Sequence, residues 1–159
     1  MTKFAKQTTV APEKSRAEIE HLLVRYGASQ FMYAIKPEAA AIAFACHGRN
    51  VRFVLPFPRA DEKRFTHAKD RYGYPAERSD TQKRAAYDQE IRSRWRALAL
   101  VIKAKLEAVE SGIAEFEDEF MAHIVLPGGK TMSEHARPMI AQAYETGRVP
   151  PLLPHFGDV

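Results

Sequence analysis

Apolar residues in this chain first recur at every second position and then at helical spacing, and that change of period limits the fold more than any other feature. Ile91, Trp95, Leu98, Ile102, Leu106 and Val109 follow one another at steps of 4, 3, 4, 4 and 3 residues. Such steps draw one apolar stripe along a helix, the stripe that faces a core. They predict a helix from about Thr81 to Ser111, capped by Ser79 or Asp80 and broken at Gly112. Upstream, Phe31, Tyr33 and Ile35 alternate with Gln30, Met32 and Ala34; Ile42, Phe44 and Cys46 alternate with alanines; Val51, Phe53 and Leu55 form a third set. Strict alternation sends successive side chains to opposite faces of a strand, so each run has one apolar side. Lys36-Pro37-Glu38 and His47-Gly48-Arg49-Asn50 separate the runs, with Gly48 or Asn50 suited to positive φ. Pro56 and Pro58 end the third run, because proline donates nothing to a ladder. A sheet with one apolar face and a helix with one apolar stripe bury both by packing as layers. The expected class is α+β: a three-stranded antiparallel β-meander packed on a long helix, with a smaller α-rich C-terminal part.

The remaining chain organises around that unit. Residues 1–14 show no period and are expected to form a flexible leader, because Ser15 with Glu18 fits a capping box and Ile19, Leu22, Leu23 and Tyr26 then share a helical face up to Gly27. Residues 57–80 have no sustained period, and a loop of that length in a compact domain is usually functional or disordered. Ile113, Phe116 and Phe120 suggest a short helix with an acidic outer side. Ile124-Val125-Leu126 reads as a small strand and Pro127-Gly128-Gly129 as a turn; Thr131 with Glu134 opens a helix to about Thr146, with Pro138 inside and Gly147 as its stop. Pro150, Pro151 and Pro154 mark 150–159 as a Pro-rich tail, leaving 15–149 as one domain. No run approaches the roughly 20 apolar residues of a membrane span. Met1–Val10 is polar, so a cytoplasmic protein without membrane contact is expected. The single cysteine, Cys46, allows no internal disulfide and sits in an apolar run, where a packed thiol is expected.

Charge is the feature that bears on function. Residues 49–105 hold 15 Lys or Arg against 7 Asp or Glu, whereas residues 106–134 hold 1 against 7, so a net +8 precedes a net −6 inside a chain whose total is +4. A basic stretch with aromatics spaced through it suits a polyanion, most often nucleic acid. Arg52, Arg59, Lys63, Arg64, Lys69, Arg71, Lys83 and Arg84 are the expected phosphate ligands, and Phe65, Tyr72 and Tyr74 the expected stacking platforms. Arg78, Arg92, Arg94 and Arg96 add to the stretch, and arginine favours forked contacts to phosphate. Lys83 and Arg84 also fall in the first turns of the long helix, where the macrodipole disfavours cations. The bland alternative is a solvated helix face with pairs such as Asp88 with Arg92 and Glu90 with Arg94. Single-stranded DNA is preferred over duplex, since no helix-turn-helix or zinc-finger pattern is visible.

Two other classes stay open. A protein-interaction module, such as an inhibitor of a host defence complex or a phage assembly factor, would use the acidic run Glu115, Glu117, Asp118 and Glu119 with the Pro-rich tail. The same acidic run could complement the basic segment of a second copy and give a homo-oligomer. A small metal-dependent hydrolase or nuclease would use His67, Asp70 and the acidic run. No cofactor is expected. Gly128-Gly129-Lys130-Thr131 looks superficially like a phosphate loop, but the pattern needs glycine where Ile124 stands. The six histidines, His21, His47, His67, His123, His135 and His155, show no zinc-site spacing.

The stretch from Arg94 to Ile113, RWRALALVIKAKLEAVESGI, with Ile124-Val125-Leu126-Pro127 and Pro150-Pro151-Leu152-Leu153-Pro154, resembles a family of short, uncharacterised proteins from prophages and other mobile elements. The resemblance covers most of the chain after about Ser15. It implies a mobile-element setting and carries over neither an activity nor a functional residue. The expected order of three strands and a long helix is also similar to the core of phage single-strand annealing proteins, a likeness of topology alone.

Overall fold

A computed structural model describes residues 5–148; the expected tail at 150–159 lies outside the described residues. The elements are α1 (Pro12–Arg25), β1 (Gln30–Lys36), β2 (Ala39–Cys46), β3 (Arg49–Pro56), α2 (Lys63–Thr66), β4 (His67–Lys69), β5 (Pro75–Glu77), α3 (Asp80–Glu110), α4 (Phe116–Phe120), a 3-10 turn at Met121–His123, and α5 (Met132–Thr146). The protein is α+β: a three-stranded antiparallel sheet in the order β1-β2-β3, faced by the long helix α3 and other helices.

The alternating runs set the register. Phe31, Phe44 and Val51 form one cross-strand row, Tyr33, Ile42 and Phe53 the next, and Ile35, Ala40 and Leu55 the third. This face meets the stripe of α3, where Trp95, Leu98, Ile102 and Leu106 are buried, together with Ile19 and Leu23 of α1. Phe120 of α4 meets Phe44 and Phe53 edge-on, with centroids 6.1 and 6.2 Å apart, and so closes the far end of the core. The opposite sheet face carries Met32, Ala43 and Arg52 in one row and Ala34, Ala41 and Val54 in another. Met32 and Val54 there are 66% and 57% exposed.

Several local expectations change. The first helix begins at Pro12, not at Ser15, because proline's fixed φ and missing N–H suit a first turn. Ser15 is therefore an interior helix residue with no cap to make, and Glu18 pairs with Arg96 of α3 instead. Ahead of this helix Ala5 is buried, and Gln89 of α3 donates to the carbonyls of Lys6 and Thr8 at 3.1 and 2.8 Å. In the β2–β3 turn both His47 and Gly48 take positive φ, 49° and 72°, rather than Gly48 or Asn50 alone. A two-residue turn of type I′ needs both centres left-handed, and the His47 ring stacks on Phe116 at 4.7 Å. Ile113 is 80% exposed and lies outside the short helix α4. The small strand at 124–126 reduces to single bridges, Val51 with Ile124 and Val125 with Thr131.

The two other helix signals hold as local chemistry. Ser79 with Gln82, and Thr131 with Glu134, each form both halves of a capping box. Gly147 ends α5 with φ 66°. That helix buries no residue, and Ile140 and Tyr144 are 55% and 89% exposed. Among the described residues no helix is long and apolar enough to cross a membrane.

Candidate nucleic-acid interface

The expected loop at 57–80 is an ordered arm. Its base is held against α3: Phe65 is 4% exposed and meets Tyr87 edge-on at 5.5 Å. Arg78 ties the arm's two ends, its N–H donating to the Thr66 carbonyl at 2.8 Å and its guanidinium to the carbonyls of Arg64 and Phe65 at 3.2 Å. From this base β4 and β5 run out as a hairpin, with His67 opposite Glu77 and Lys69 opposite Pro75.

Asp70 builds the hairpin tip. Its Oδ1 accepts from the N–H groups of Tyr72 and Tyr74, both at 2.8 Å, while its own N–H donates to the Tyr74 carbonyl at 2.8 Å. A short acidic side chain bonding the backbone two residues on is a turn-forming device, and Gly73 at φ 89° lets the chain reverse. The tip holds Arg71, Tyr72 and Tyr74 outward: the tyrosines are 68% and 70% exposed. The Arg71 guanidinium lies 4.5 Å from the Tyr72 ring centroid and donates to the Tyr72 hydroxyl. A cation held over an exposed ring offers stacking surface and positive charge together.

The expected ligands divide sharply. Arg52 projects from the outer sheet face and pairs with Glu134 of α5 at 2.8 Å. The Glu134 carboxyl is held below its ordinary range, chiefly by the Thr131 N–H in the capping box and also by Arg52. Arg59 pairs with Asp61 at 2.6 Å, and that hydrogen bond lowers the Asp61 pKa. Arg64 pairs with Glu62 at 2.8 Å and lies 3.6 Å from Glu90. Lys83 pairs with Glu77 at 2.7 Å and Asp80 at 3.5 Å, which accounts for a cation in the first turn of α3 without a ligand. Phe65 presents no ring face to solvent because it anchors the arm. Arg94 and Arg96 likewise meet Glu90 and Glu18. Lys63, Lys69, Arg71 and Arg84 are exposed and have no carboxylate partner among the described residues. The arm thus gathers Lys63, Lys69, Arg71, Tyr72 and Tyr74, with Arg84 one turn into the helix that follows it.

The other candidate chemistries are organised differently from expectation. His67 Nδ1 lies 2.9 Å from Thr66 Oγ1, while Asp70 is committed to backbone amides. In the acidic run, Glu117 pairs with Arg49 at 2.5 Å and Glu119 with Lys105 at 2.9 Å. Among the described residues no three His, Cys, Asp or Glu side chains are grouped to hold a metal ion. Gly128-Gly129 is a tight turn, closed by Gly129 N–H to the Leu126 carbonyl at 3.0 Å and Leu126 N–H to the Lys130 carbonyl at 2.8 Å. Burial raises the Cys46 thiol pKa, as a packed thiol requires. Sequence reasoning missed Asp70 as the organiser of the tip; the D-x-x-G spacing of Asp70 and Gly73 is the signal that points to it.

No family model matches this chain, and no curated protein or solved structure is significantly similar to it.

Proposed function

We propose that the chain is a non-enzymatic nucleic-acid-binding protein serving a phage or other mobile element, and that it holds single-stranded DNA with the β4–β5 arm. One observation carries this reading: Tyr72 and Tyr74 stand 68% and 70% exposed on a hydrogen-bonded tip beside Lys69 and Arg71. Large aromatic rings held out in water by a rigid turn gain nothing for the fold. They suit unpaired bases, whose faces are available only when the strand is single. Lys63, Lys69, Arg71 and Arg84 supply phosphate contacts, and the short reach of a hairpin with three-residue strands suits a few nucleotides rather than a duplex groove.

Fluorescence anisotropy with labelled single-stranded and duplex oligonucleotides tests it. Single strands should bind more tightly at low salt, and Tyr72→Ala and Tyr74→Ala should each cost about 1–3 kcal/mol of binding. Arg52→Ala and Arg59→Ala, whose cations are paired elsewhere, should change little. An unshifted signal at low salt would remove the nucleic-acid reading and leave the protein-interaction module.

A further inference from the structure

The sheet's two edges are treated differently. At β3, Val51 bridges Ile124, the Val125 N–H donates to the Asn50 carbonyl at 2.7 Å, and at the strand's other end Arg94 donates to the Pro56 carbonyl at 2.5 Å. Among the described residues β1 has a strand partner on the β2 side only. A strand edge in that state presents a row of unpaired N–H and C=O groups and is ordinarily blunted by proline, bulges or charge. The interior of β1, Phe31-Met32-Tyr33-Ala34-Ile35, has none of these. Met32, Tyr33 and Ile35 are 66%, 51% and 52% exposed, so the edge is apolar on both faces of the sheet.

We infer that β1 pairs antiparallel with β1 of a second copy of this chain, about a two-fold axis at Tyr33. The strand is complementary to itself in that register. Phe31 falls opposite Ile35 and Met32 opposite Ala34, so each face meets its own kind. Lys36, the strand's one charge, falls opposite Gln30 and never meets its counterpart. Arg16, whose guanidinium lies 5.0 Å over the Tyr33 ring, is already paired with Glu13 at 3.3 Å, so the axis brings no unpaired cations together. The product is a six-stranded sheet, β3-β2-β1 continued by the same strands reversed. It closes at two copies, because the β3 edges left outside are occupied at both ends. Exposed Met32 and Ala34 then continue the outer face across the junction. This assembly stands independently of the nucleic-acid reading.

Sedimentation velocity of the full chain over a wide concentration range, without nucleic acid, reads the assembly directly. A reversible dimer is expected. Met32→Lys with Ile35→Lys enters each interface twice and should weaken dimerisation about tenfold or more while the circular dichroism spectrum stays native. A monomer at every concentration, or a dimer that keeps its affinity in a natively folded lysine variant, overturns the inference. If the variant does not fold, hydrogen exchange on the unmodified chain decides. Protection of the Phe31–Ile35 amides should grow with concentration, and protection that is constant there overturns the inference equally.

Discussion

Two side chains inside the helical layer show how single residues set stability here. Ser15 is fully buried and its hydroxyl has no hydrogen-bond partner. A buried donor left unmade costs free energy that alanine of nearly the same shape avoids, and alanine is also the better helix former. Ser15→Ala is therefore expected to raise stability by about 1 kcal/mol, seen as a higher urea midpoint; a lower midpoint would refute the assignment. His123 stacks on Phe53 with centroids 3.9 Å apart. Burial, helped by the nearby Lys105 charge, holds its pKa below the ordinary value of 6.5. Folding thus favours neutral imidazole, and the unfolded chain takes up the proton first as pH falls. The stabilisation is complete above pH 6.5 and is lost as pH drops toward the folded pKa. In His123→Phe this part of the pH dependence should vanish, checked by urea midpoints across the mildly acidic range. The lowered carboxylates, Asp61 and Glu77 through their cation partners and Glu134 chiefly through the Thr131 N–H, lose their stabilisation only at lower pH, below the ordinary carboxylate values.

Among the elements, the two longest C-terminal helices contrast most. α3 buries Trp95, Leu98, Ile102 and Leu106 against the sheet and α1, whereas α5 buries nothing. Both start with complete capping boxes, so the difference lies in packing, which supplies most helix stability in proteins. Hydrogen exchange should follow it. The amides of Trp95–Leu106 are expected to open only with global unfolding, and those of Ala136–Tyr144 by local fraying with protection lower by several powers of ten. Equal protection would mean that another surface covers α5. The β4–β5 hairpin is intermediate. Its strands have three residues each, too few to persist alone. Phe65 and Arg78, anchoring its base, are what keep Tyr72 and Tyr74 in place.

At the scale of the molecule, about half of the basic excess of residues 49–105 is met by carboxylates from outside the segment, Glu134 on Arg52, Glu18 on Arg96, Glu117 on Arg49 and Glu119 on Lys105, while Asp61, Glu62, Glu77, Asp80 and Glu90 pair with cations inside it. On the proposed reading, four of the eight expected phosphate ligands, Lys63, Lys69, Arg71 and Arg84, remain available. For single strands the slope of log K against log salt is about −0.7 per phosphate contact, so about −3 is expected instead of nearly −6. A titration at several salt concentrations distinguishes the two, and the steeper slope would mean that the paired arginines release their carboxylates to bind.

The layered core could be read directly from the chain. Phe31–Ile35, Ile42–Cys46 and Val51–Leu55 declare strands by their alternation, and the stripe from Ile91 to Val109 declares the helix that covers them. Ser79–Gln82 and Thr131–Glu134 declare helix starts through bonds between near neighbours. These signals are local, with a period or a spacing of a few residues, so one sequence suffices to see them. Tertiary structure decided the remote pairings, Arg52 with Glu134 at 82 positions and Arg96 with Glu18 at 78, whereas Arg59–Asp61, Arg64–Glu62 and Arg94–Glu90 join near neighbours in the chain. It alone decided that 63–77 is an arm with a presented tip, since strands of three residues are too short to show a period. Local chemistry wrote the layers into the chain. The anchoring of one hairpin, and the one remote pairing that takes up Arg52, depend on where distant segments meet and so were decided by the fold.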